Sequence, residues 1–143
     1  MKKEAKSRFS LMHFVLAVAL LSIIQPLLIM ANIISTVSDY LSIGTIFFNI
    51  LKLAIMIYAG AYFVKEGLKK IALNGALMGF VSSGIIVLFS LISKQCCDKP
   101  ILGINISMEF YWLAMFFIII ENMIIWTLIV TISGWISSKM KRK

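Results

Sequence analysis

A chain of 143 residues that is 61% hydrophobic and only 14% charged, with a mean hydropathy of +0.99, excludes a water-soluble domain. An aqueous surface takes about a quarter of a domain's residues as charges. The net charge of +8 is gathered into short runs at the ends of apolar stretches, so it speaks of membrane topology rather than of nucleic acid.

A helix crossing the hydrocarbon takes about 20 apolar residues. Four segments qualify, 9–34, 41–64, 71–92 and 109–136, which predicts an all-α, integral membrane four-helix bundle with 1–143 as a single transmembrane domain. The largest remainder, 93–108, is too short for a core of its own, so no extramembrane domain is expected.

The first segment follows Lys2, Lys3, Lys6 and Arg8. Its apolar run from Leu11 to Ala31 outlasts the h-region of a signal peptide, and Ile29 is a poor residue three places before a cut after Ala31, so it reads as a span. His13, about a turn into it, reads as an interfacial residue. Gln25-Pro26 lies toward its outer end, where proline removes a backbone donor and frees a carbonyl that needs a partner. The second segment carries Asn49 and Lys52 and leads into Lys65, Lys69 and Lys70.

The third segment offers Gly75, Gly79 and Ser83 at four-residue spacing beside Ala72 and Ala76. Apolar helices gain little by hiding from lipid, so close contact selects small side chains on the contacting face. Gly75 and Gly79 are expected to pack against a neighbouring helix, as are Gly60 on the second segment and Gly134 on the fourth, the latter in line with Thr127, Thr131 and Ser138. Between the third and fourth segments, the adjacent Cys96 and Cys97 are poorly placed to bridge each other and show no metal-ligand spacing. Asn105-Ile106-Ser107 matches a glycosylation acceptor, of consequence only in a secretory pathway. Tyr40, Tyr111, Trp112 and Trp135, near span ends, read as interfacial anchors. The nine methionines show no cofactor-like spacing and read as packing.

Eleven of the fourteen basic residues fall in the two tails and the middle connection, the last group being Lys139, Lys141, Arg142 and Lys143. Short cytoplasmic segments hold such an excess of Lys and Arg, so both termini are expected on the cytoplasmic side of a multi-pass protein.

The halves also show a weak internal repeat. Setting Arg8 on Lys70 brings Ala17 onto Gly79 and Ile23-Ile24 onto Ile85-Ile86, as two parallel-repeated helical hairpins would. The run from Ala59-Gly60-Ala61 through Lys65 to Asn74-Gly75-Ala76-Leu77-Met78-Gly79 resembles the small four-span prokaryotic membrane protein families of unknown function. Ala59-Gly60 and Ser133-Gly134 stand where those families close the second and fourth helices with paired glycines. The resemblance implies a four-span architecture in the plasma (inner) membrane of a prokaryote, and no activity.

Two charges lie deep in spans. Lys52 is eleven residues past Leu41 and Glu121 twelve past Glu109, where a charge costs about 2.5–3.5 kcal/mol or more. Measured back from Gly60 and Gly134 they differ in depth by five residues, about 7.5 Å of helix, a gap that a snorkelling lysine largely covers. With Asn49, Asn122, Gln25 and Ser83 they are expected to form a polar cluster in the outer half of the bundle. Three explanations stand open: an ion pair fixing helix register, a site for a small polar solute or proton, and a partner subunit supplying a missing counter-charge.

Enzyme chemistry has no support in the sequence. It holds no His-Glu-x-x-His, Gly-x-Ser-x-Gly or phosphate loop, and its one His and two Cys make no usual metal site, so neither catalytic residues nor a metal or cofactor is expected. The reading is a non-enzymatic polytopic protein, an accessory or assembly subunit of a membrane complex. Its expected partners are membrane lipids and other membrane subunits or further copies of itself, with no nucleic acid. The alternative is a small-solute or proton transporter working as an oligomer.

Overall fold

The computed structural model describes residues 2–37, 42–97, 101–103 and 107–140, with side chains from Ser10 onward except those of Cys97 and Met108. The expectations for Tyr40, Asn105 and the side chain of Cys97 lie outside these, as do those for the cations of both tails beyond Lys139. The chain forms four helices, α1 (Lys2–Met30), α2 (Ile43–Tyr62), α3 (Leu68–Cys97) and α4 (Met108–Met140), with a 3-10 turn over Phe63–Glu66. All four are long and apolar enough to cross a membrane, and no strand occurs among the described residues.

The helix ends follow local chemistry. The first helix stops at Met30, four residues short of the expected boundary, because Asn32 turns left-handed with φ 57°. Its N–H reaches the Ile29 carbonyl at 3.0 Å, and the Ile33 N–H reaches that of Leu28 at 2.9 Å. This pair of bonds satisfies the last carbonyls of a helix, and asparagine tolerates the backbone conformation better than a branched residue. Ser42 caps α2 by accepting from the Thr45 N–H at 3.2 Å. Gly67, at φ 87°, makes the turn into α3 without the steric cost a side chain would bring. The third helix continues to Cys97, so the connection expected over 93–108 contracts to 98–107.

The helices alternate in direction, with α1 parallel to α3 and α2 parallel to α4. The centre is the α3/α4 pair; α1 packs on α3 and α2 on α4, while α1 and α2 share few contacts. Glycine sets this pattern. A Cβ on Gly79 would lie 2.9 Å from Trp126 Cβ and 3.0 Å from the Asn122 carbonyl oxygen; one on Gly75 would lie 3.0 Å from Thr127 Cα. A Cβ on Gly60 would collide with the Val130 carbonyl oxygen, and one on Gly134 would sit 3.0 Å from that of Gly60.

The two hairpins are therefore not packed alike, in contrast to the expected repeat. In the alignment of the halves, Gly75 and Gly79 fall on His13 and Ala17, and α1 and α2 do not close on each other there as α3 and α4 do. Between them lies an apolar groove of about 450 Å³ lined by Phe14, Ala17, Leu51, Ala54, Ile55 and Tyr58, together with His13. Phe14 stacks near Tyr58, Tyr62 and Phe63 with ring centres 5.4–5.7 Å apart, which closes the groove toward the end where α1 begins and α4 finishes, here the basic end.

Two apolar cores result. One, toward the basic end, is built on Val18, Met56, Phe63, Ile71, Met78 and Trp126. The other, toward the far end, is built on Ile86, Val87, Leu102, Tyr111 and Met115. Tyr111 is wholly buried and its hydroxyl shares a hydrogen bond with Ser90. It is not the interfacial anchor expected of it, because the segment carrying Ile101 and Leu102 folds over the start of α4. Trp112 and Trp135 are exposed, and Lys139 Nζ sits 4.1 Å from the Trp135 ring centre.

Candidate functional site

Between the two apolar cores lies a polar layer. Lys52 of α2 is 8% exposed and donates from Nζ to Gln25 Oε1 of α1 at 2.7 Å. Helical side chains lean toward the N-terminus of their own helix. Because α1 and α2 are antiparallel, Lys52 leans toward the far end and Gln25 toward the basic end, and the two meet. Gln25 is fully buried and its Nε2 has no hydrogen-bond partner among the described residues. An unanswered buried donor costs about 1–3 kcal/mol. One helical turn before Pro26, Ser22 shares a 2.8 Å hydrogen bond with Ser82 of α3. Ser83, Ser90 and Ser93 are buried along the same helix toward the far end.

Only Gln25 and Lys52 of the six expected cluster members come together. Ser83 is buried but donates to the Gly79 carbonyl of its own helix at 2.7 Å. Asn122 likewise donates to the Ile118 carbonyl at 2.9 Å, and Asn49 is exposed. Hydroxyl and amide groups in a helix satisfy themselves on the preceding turn when no neighbour offers a better partner.

The expected intramolecular ion pair is not formed. Glu121 is exposed on the outer surface of α4, and among the described residues the bond shown for Lys52 is to the neutral amide of Gln25. The cause is orientation around the helix. Lys52 belongs to the buried stripe of Thr45, Phe48, Met56 and Ala59, while Glu121 shares the exposed stripe of Phe117, Ile124 and Leu128.

The two charges nevertheless stand at one depth. Gly60 lies against residues 130–134, so eight residues back along each of these parallel helices Lys52 is level with 122–126. Gly79 lies against Asn122 and Met123 of the antiparallel α4, so Ser82 and its partner Ser22 are level with 119–120, and Gln25 with 116–117. The Lys52–Gln25 bond spans the interval between these levels, and Glu121 lies within it.

Two cavities flank the bridge, and neither is lined by Lys52 or Gln25. One is the apolar groove already described. The other, about 410 Å³, opens at the far end between Ile29, Asn32, Thr36, Ser93 and Ile101. No group of three or more His, Cys, Asp or Glu that could hold a metal occurs among the described residues. The sequence pointed to Lys52 and Gln25 but not to the Ser22–Ser82 and Ser90–Tyr111 pairs. The signal for these was the run of serines on α3 at 82, 83, 90 and 93.

Fold and site together define a polytopic membrane protein of four helices with a polar bridge buried at bilayer depth. Comparison of the chain with protein-family models, curated proteins and solved structures finds no match.

Proposed function

We propose that this protein is a non-enzymatic accessory or assembly subunit of a membrane complex. The observation that carries the reading is Lys52, a cation at bilayer depth answered by a neutral amide whose own Nε2 has no partner. Ionisable groups inside a membrane are expensive and mark functional contacts. A donor-rich site that lines neither flanking cavity is suited to binding an acceptor group brought in by another transmembrane helix. Affinity isolation in mild detergent tests this. Lys52→Met is expected to lose, by tenfold or more, a membrane protein that co-purifies with the wild type; an unchanged set of co-purifying proteins would sink the reading.

The second reading, transport of a small solute or proton, draws on the buried serines from Ser82 to Ser93, which lead from the polar layer to the far-end cavity. The protein is further proposed to reside in the inner membrane of a prokaryote with both termini cytoplasmic, on the strength of the basic residues Lys65, Lys69, Lys70 and Lys139 at the basic end and of the resemblance in the glycine-bearing segments. Single cysteines in a Cys96→Ser, Cys97→Ser background separate these possibilities. A thiol reagent added to intact cells is expected to label Ser35→Cys, to miss Lys69→Cys until the membrane is permeabilised, and to leave Ser90→Cys unreacted. Labelling of Lys69→Cys in intact cells would reverse the orientation, and rapid labelling of Ser90→Cys would favour a hydrated path.

A further inference from the structure

Deep within the spans, the described residues include one buried cation, Lys52, and one exposed acid, Glu121, and the fold keeps them apart. Lys52 has Gln25 as its acceptor, and Glu121 sits in the middle of an apolar stripe facing outward. We propose that copies of this chain associate head to tail, with the Glu121 carboxylate of one copy entering between α1 and α2 of the next to pair with Lys52. The inference rests on the reading of Lys52 as an assembly contact and names the partner that contact takes.

Three observations select a second copy as the occupant. The first is charge: each protomer supplies one acid and one cation that show no ionic partner among the described residues, so each copy can satisfy the next. The second is depth. Glu121 stands within the interval spanned by the Lys52–Gln25 bond, and copies sharing one orientation in one bilayer keep their residues level. The third is shape. The groove between α1 and α2 begins beside the bridge and runs toward the basic end past Leu51, Ala54 and Ile55. Below Glu121 on α4, Ile124 and Leu128 are each 55% exposed and are level with that stretch of α2. The small side chains of Ala17 and Ala54 leave room for them, as close helix contact in lipid requires.

In such a contact the carboxylate accepts from the Lys52 ammonium, and Gln25 Nε2, a buried donor without a partner among the described residues, gains an acceptor. The surfaces used on the two copies differ, so the contact is heterologous. Repeated about an axis along the membrane normal it closes into a ring.

Disulfide trapping between differently tagged copies tests this. In the Cys96→Ser, Cys97→Ser background, one copy carries Ala54→Cys and the other Leu128→Cys, both at exposed positions that leave the fold undisturbed. Mild oxidation in membranes is expected to link the two tags. The yield should fall at least tenfold when Glu121→Gln is added to the Leu128→Cys copy, and should hold when the same change is made only in the Ala54→Cys copy. Absence of linkage, or equal yields from the two placements of Glu121→Gln, overturns the proposal. If tagged copies do not link while another membrane protein still co-purifies through Lys52, the second copy is wrong and the assembly reading stands. If nothing co-purifies through Lys52 either, both fall.

Discussion

Alanine at Gly60 is expected to destabilise the detergent-solubilised protein by about 2–3 kcal/mol, the range in which overpacking a close contact falls. The added methyl would meet the Val130 carbonyl oxygen and lie 2.8 Å from Ser133 Oγ, and Ser133 is already committed to the Ile57 carbonyl at 2.6 Å. Backbone cannot swing aside as a side-chain tip can, so α2 must move away from α4. The same substitution at Gly84, where nothing lies within 4 Å of a new Cβ, is expected to be neutral or to stabilise by about 0.5–1 kcal/mol through helix propensity. Gly79→Leu should likewise be disruptive, and Leu88→Phe, at a 56% exposed position, should be tolerated. Unfolding in a graded detergent series reads all four, and equal losses at Gly60 and Gly84 would refute the packing argument.

The second large effect is expected at Gln25. Gln25→Leu removes the acceptor of the Lys52 ammonium, and leaving a buried charge unanswered costs about 3 kcal/mol. Lys52→Met alone leaves the Gln25 amide without its partner and costs about 1–3 kcal/mol. The double variant should recover much of both losses, because apolar groups of similar volume replace a buried polar pair at little cost or with gain. The coupling energy of this cycle, read from the same unfolding series, measures the contact. Strictly additive losses would mean that the two side chains do not depend on each other. Glu121→Gln, by contrast, should add independently to either change in the isolated protomer.

The four spans could be read from the sequence because length and apolarity are what a bilayer demands. The contact glycines could be read because backbone approach in lipid selects small residues. What the sequence does not reveal is which way round a uniformly apolar helix faces. In water a polar flank marks the outside of a helix, but around Glu121 both flanks are apolar, with Phe117, Ile124 and Leu128 on lipid and Trp126 and Val130 in the core. Depth could therefore be inferred for Lys52 and Glu121, whereas their shared contact could not. Gln25 was recognisable as a costly residue beside a proline, yet its role as the acceptor of Lys52 follows from the antiparallel lean of two side chains. Asn32 gives no legible helix stop because Ile33 and Ile34 continue the apolar run.

The sparse contact between α1 and α2 also bears on how the chain is made. Both helices find their main neighbours in α3 and α4, which leave the ribosome later. At about 5–20 residues per second, the stretch from residue 63 to 140 takes roughly 4–16 s to synthesise. Of the contacts within the first hairpin, the folded protein shows the rings of Phe14, Tyr58 and Tyr62 and the Lys52–Gln25 bond. A buried bond between two helices that otherwise share few contacts is suited to holding them side by side and in register over such an interval.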